Sequence, residues 1–180
     1  MTHRKNGKIF EFSDDKKYDI HLVGKIIVNF SKYILKEETI MDELNVSNKE
    51  VLIDNDFAYL WYYPDTKIIH HKLKKYNYGE SFRNLLLTGT EYFEKKGCKK
   101  WLSDDRNSSA LRKADLEWGE ENWTGRILKA GWKYWAIMMP NLEVGKLTMK
   151  SLIKDFSEKG VIVQLFDDVE LAYKWLEEQK

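Results

Sequence analysis

Apolar positions along this chain follow two rhythms, one of strand length and one of helical spacing, and glycines mark where they change over. Three times a basic helix end meets a glycine and then an apolar run: EKKGCKKWLSDD, LKAGWKYWAIMMP and SEKGVIVQLFDD. A glycine takes the left-handed backbone that closes a helix without steric cost, so Gly97, Gly131 and Gly160 predict three helix ends, each feeding a strand. They stand 34 and 29 residues apart, enough for a strand and a crossover helix. The runs after them are apolar on both faces, which predicts parallel strands in an α/β sheet.

The intervening segments carry helical periodicity. Phe82, Leu85, Leu86, Gly89 and Phe93 form one stripe, and Met149, Leu152, Ile153 and Phe156 form another. A terminal helix is expected to open with Asp167 and Glu170 as an acidic capping box and to bury Ala172, Trp175 and Leu176. Leu116, Gly119, Trp123, Ile127 and Ala130 also share a helical face, but Asn122, Thr124 and Gly125 weaken its middle and predict a broken or kinked helix. Upstream, FAYLWYY and KIIHHKL flank Pro64, Asp65 and Thr66, the signature of an antiparallel hairpin around a type I turn. Residues 1–50 lack these markers. KIFEF and YDIHLV suit short strands and SKYILKEETIMDEL a helix, in an extension that either docks on the domain of residues 51–180 or serves as a partner-binding arm.

Composition narrows the function classes. A chain of 180 residues fits one domain with an appendage. Its charged residues, 33 % of the total, cancel to +1, leaving no global field to recruit nucleic acid. A single cysteine, Cys98, and the absence of an opening signal peptide or an apolar run of about 20 residues lead us to expect a cytoplasmic protein without a membrane span. Aromatic residues reach 14 %, with seven tryptophans; most are expected in the core, where aromatics bury large areas, and a fraction is expected to line a pocket.

The candidate site is WLSDDRNSSA, residues 101–110, where a buried strand gives way to polar residues at its carboxyl end. Ligands of open parallel sheets gather there. Strand alternation sends Trp101, Ser103 and Asp105 to one face and Leu102 and Asp104 to the other. On the functional reading, Asp104 or Asp105 orients Arg106, while Asn107, Ser108, Ser109 and the amides of the following helix hold a polar or anionic group. The same residues also suit a turn in which Asp and Asn satisfy local donors and a serine caps the helix. Trp118 and Trp123 are five apart and cannot share a helical face, so one of them, taken as Trp123, is expected over the crevice. His70 and His71, adjacent on a strand, face opposite sides and read as structural or solvent-facing rather than as metal ligands. Cys98, with no histidine motif nearby, reads as a buried bystander. No Walker, dinucleotide, Gly-x-Ser-x-Gly or calcium-loop pattern occurs, and neither a metal nor a cofactor is expected.

The order hairpin, helix, strand, broken helix, strand, helix, strand, helix resembles the STAS-like fold of anti-anti-sigma factors, which is related to CRAL-TRIO domains. KKWLSDDRNSSAL, AGWKYWAIMMP and KGVIVQLFDDVELAYKWLEEQ are similar to segments of small STAS-like bacterial proteins common in Bacteroidetes. The resemblance implies a mixed sheet over about residues 55–180. Together with the lack of a complete catalytic constellation and the aromatic residues expected at the surface, it leads us to expect a non-catalytic module that binds a partner protein or a small polar ligand in signalling, with an oligomer as a further expectation. STAS switches carry a phosphorylated serine in a pattern close to Asp-Ser-Ser-Gly; here Ser108 and Ser109 occupy a similar place, but Arg106 and Asn107 separate them from Asp105, and no glycine follows. The alternative is an enzyme or phospho-acceptor whose two aspartates hold one Mg²⁺ ion.

Overall fold

A computed structural model describes residues 48–180, which lie within one compact unit, Leu44–Lys180. The expected elements KIFEF, YDIHLV and SKYILKEETIMDEL fall outside the described residues.

The six strands follow the chain in order across one sheet: β1 (Glu50–Asp54), β2 (Ala58–Tyr63), β3 (Ile68–Leu73), β4 (Lys100–Asp104), β5 (Tyr134–Met138) and β6 (Ile162–Phe166). The first three pair antiparallel, and β3 to β6 pair parallel. The class is therefore α/β with a mixed sheet. The predicted hairpin is β2–β3, in register from Ala58 opposite Leu73 to Tyr63 opposite Ile68, closed by residues 64–67 with Lys67 at φ 53°. Strand β1 extends it to a meander.

Each parallel strand is reached by a crossover: α1 (Gly79–Lys96), then a broken helix, then α4 (Glu143–Glu158). The broken helix runs as α2 (Lys113–Trp118), one π-helical stretch (Gly119–Thr124) and α3 (Gly125–Lys129). The interruption falls where Asn122, Thr124 and Gly125 lower helix propensity. Because each new strand is added on the same side of the last, the right-handed crossover rule places these helices on one face. Their buried residues do pack there together, with Leu85, Leu86 and Phe93 of α1, Trp123 and Ile127 of the broken helix, and Met149 and Phe156 of α4 against Tyr62, Ile69, Trp101, Trp135 and Ile137 of the sheet.

The other face is left to the end of the chain. Helix α5 (Val169–Glu177) covers it with Val169, Ala172, Tyr173 and Leu176 over Trp61, Tyr63, Ile68, Leu102, Tyr134, Ala136 and Met138. Trp175, expected in the buried stripe, is only partly covered. The helix is capped by Asp168, whose carboxylate accepts from the Leu171 N–H at 2.9 Å, rather than by Asp167, one residue earlier than the true first turn. The three glycine markers hold: Gly97, Gly131 and Gly160 sit at φ 63°, 102° and 93°.

Candidate functional site

Strands β3, β4 and β5 end side by side, and the chain leaving β4 crosses their carboxyl ends as the loop 105–112. The loop is stitched on both sides. Asp105 N–H donates to Met138 O at 3.1 Å, Asn141 N–H to Arg106 O at 3.1 Å, and Ser108 N–H closes a turn onto Asp105 O at 2.7 Å. From the other flank Asn107 donates to Leu73 O at 3.0 Å, and Tyr76 donates its hydroxyl to Ala110 O at 2.7 Å. Helix α2 begins only at Lys113, so neither serine caps it, and the expected helix amides stand away from Ser108 and Ser109.

Beneath this loop lies a crevice of about 120 Å³ on the face that carries α1, the broken helix and α4. That approaches the roughly 150 Å³ that holds a benzene ring in an engineered protein cavity. Trp101, Trp123, Trp132 and Trp135 wall it with Phe156 and Met149. The rings contact one another: Trp123 and Trp132 have centroids 5.7 Å apart, Trp132 and Trp135 5.0 Å, and Trp132 and Phe156 4.9 Å. Two glycines make the packing possible. A Cβ on Gly89 would collide with the Trp101 indole, and one on Gly145 would lie 2.8 Å from Pro140 Cβ. Gly89, legible beforehand as one member of a helical stripe, is thus the position where α1 lets the indole through.

Every indole N–H in the crevice has a partner within the protein. Trp101 donates to His71 Nδ1 at 2.9 Å, Trp135 to Ser103 Oγ at 2.8 Å, Trp123 to Thr90 Oγ1 at 2.7 Å and Trp132 to Tyr134 O at 3.2 Å. The first of these bonds decides the state of His71. An indole nitrogen can only donate, so His71 Nδ1 must accept, which assigns the ring proton to Nε2. That proton points to Asp105 Oδ1 at 3.2 Å. Trp101, His71 and Asp105 therefore form a chain of donors that ends on the carboxylate, and neither imidazole nitrogen retains a free lone pair.

The strand alternation read from the sequence holds, and it divides the seven candidate residues. Asp105, Ser108, Ser109 and Trp123 line the crevice. Asp104 and Arg106 do not; they face the α5 side, where Arg106 Nε and Nη2 grip Asp104 Oδ1 and Oδ2 at 2.9 and 2.7 Å. The Asp104 side chain is 2 % exposed and the Arg106 side chain 27 %. Asn107 is a stitch between loops. Two aspartates on opposite faces of a sheet offer no shared position for one ion, and among the described residues no group of three or more His, Cys, Asp or Glu could hold a metal. The Ser108 hydroxyl is buried and donates to Ser109 O at 3.3 Å.

Sequence reasoning missed His71, Trp132 and Trp135 as parts of this place. The signal for His71 was available, because β-pairing that sets it beside Ser103 puts it on the Trp101 face. Its neighbour His70 points the other way, is wholly buried, and bonds Tyr63 through Nδ1 at 3.1 Å, while Nε2 finds no partner among the described residues. Burial, with the positive charge of Lys72 as a lesser contribution, holds His70 well below the usual histidine range. Cys98 is buried, which pushes its thiol up to about 12, well outside nucleophilic use.

No protein-family model, curated protein or solved structure matches this chain. Among the described residues no helix is long and apolar enough to cross a membrane.

Proposed function

We propose that this protein is a non-catalytic, cytoplasmic STAS-like module that binds a small, largely apolar ligand in the tryptophan crevice and passes its occupancy to a partner protein. The observation that carries the reading is that the crevice's indole and imidazole nitrogens are all taken by partners within the protein. Nucleophilic catalysis needs a hydroxyl or thiol beside a base with an open lone pair. Ser103 lies beside His71 across the β3–β4 ladder, but Trp101 and Asp105 occupy both ring nitrogens. What the crevice keeps open is aromatic and aliphatic surface with a few fixed polar groups, the composition of a small-molecule site. Its position beyond the carboxyl ends of parallel strands supports the same reading.

Benzyl alcohol is a suitable neutral probe. It should shift tryptophan emission saturably and, at ten times its dissociation constant, stabilise the fold by about 1.4 kcal/mol. Leu152→Trp, which fills the crevice from α4, should remove both effects and leave the fold intact. A wild-type protein without saturable response, or a Leu152→Trp variant that binds as the parent does, would sink the proposal.

A further inference from the structure

Resting on that binding reading, we propose that the ligand carries a protonated amine, received by Asp105, on an apolar body of about one ring seated among the tryptophans. Among the described residues, four carboxylates and one lysine line the crevice. Three of the four are accounted for elsewhere. Asp115 accepts from Arg83 Nε and from Gly79 N–H, each at 3.0 Å. Glu120 pairs with Lys159 at 3.1 Å, and Asp155 stands exposed at the rim. Asp105 differs from all of them: it is 6 % exposed, and among the described residues its only ionic or hydrogen-bonded side-chain partner is the neutral His71 N–H on Oδ1, with no lysine or arginine paired to it.

A buried carboxylate is held by hydrogen bonds and a countercharge, and this one has a single neutral donor. Its second oxygen can only accept. The group that completes it must therefore donate, and positive charge strengthens the bond roughly twofold over a neutral donor. The indoles bordering the crevice add attraction for a cation through their ring quadrupoles. An anion would meet the reverse on every count, since Lys159, the one lining lysine among the described residues, already pairs with Glu120.

The test compares three probes of one shape on the full chain at neutral pH: benzylamine, benzyl alcohol and benzoate, by calorimetry and tryptophan emission. Benzylamine should bind at least about tenfold more tightly than benzyl alcohol, and benzoate most weakly. Asp105→Asn keeps the acceptor for His71 and should bring benzylamine down to the affinity of the alcohol, while Asp155→Asn changes it by no more than about twofold. An alcohol or benzoate that binds the wild type as tightly as the amine overturns the amine inference and leaves the binding module standing; three silent probes remove both. A preference that persists in Asp105→Asn, or vanishes in Asp155→Asn, likewise overturns it. If Asp105→Asn does not fold, the wild-type ranking still decides.

Discussion

Arg106 offers the sharpest quantitative test of the structure. Its guanidinium bonds both oxygens of Asp104 in a planar fork, at 2.9 and 2.7 Å, at the end of a strand buried on both faces. Arg106→Ala leaves the Asp104 carboxylate, 2 % exposed, without its cation. Removing one member of a fully buried pair costs about 3–5 kcal/mol. The Arg106 side chain is 27 % exposed, so water enters where it stood, and the expected loss falls to about 2–3 kcal/mol. For a chain of this size that lowers the melting temperature by about 5–10 °C. Arg106→Lys keeps the charge and loses the fork, for a loss of about 1 kcal/mol. Asp104→Asn added to Arg106→Ala should recover part of the deficit, because the stranded charge is gone. Thermal melts of the four proteins by circular dichroism measure all of this. Arg106→Ala and Arg106→Lys melting with the parent would mean that the pair holds nothing and the segment is an ordinary turn.

Two further perturbations address the two faces of the sheet. Gly89→Ala places a Cβ against the Trp101 ring, 2.9 Å from Cζ3, and the ring is fixed by its bond to His71 and by Phe93; overpacking of about 1–3 kcal/mol should outweigh the roughly 1 kcal/mol gain in helix propensity. Near-UV circular dichroism should change with it, and a more stable variant with an unchanged spectrum would refute the close approach. His70 is held neutral in the folded chain, whereas the unfolded chain protonates it near pH 6.5. Below that pH the unfolded state therefore binds the extra proton, and stability falls as pH drops, by about 1 kcal/mol between pH 6.5 and 5.5. His70→Leu should remove that component from denaturant melts across the same window, and an identical acid slope in the variant would contradict it.

The sequence by itself determined the order and type of the elements from the hairpin onward, because each rests on local chemistry. Gly97, Gly131 and Gly160 end helices through their own backbone freedom, and the apolar runs behind them need no distant partner to be read as strands. The two-residue period likewise separated Asp104 from Asp105 and His70 from His71 before any fold was seen. It did not reveal β1, whose EVLID is flanked by no turn signal as clear as Pro64–Asp65–Thr66 and lies at the sheet edge with mixed exposure. The helix break was legible in Asn122, Thr124 and Gly125, whereas the place where α2 starts was not, since residues 105–112 are held by carbonyls and hydroxyls more than 30 positions away in sequence, at Leu73, Tyr76 and Met138.

Only the tertiary structure decided what the crevice contains. Trp101, Trp123, Trp132 and Trp135 come from two strands, the π-helical stretch and the turn before β5, and their assembly depends on crossovers that all pack on one face. The role of His71 depends on which atom each neighbour presents. An indole that can only donate fixes its tautomer, and the tautomer aims its remaining proton at Asp105. Periodicity can assign a side chain to a face, but hydrogen-bond direction is a property of pairs brought together by folding. That is why Asp104 and Asp105, adjacent and alike in the sequence, become a gripped structural anchor on one side of the sheet and a carboxylate with one neutral donor on the other.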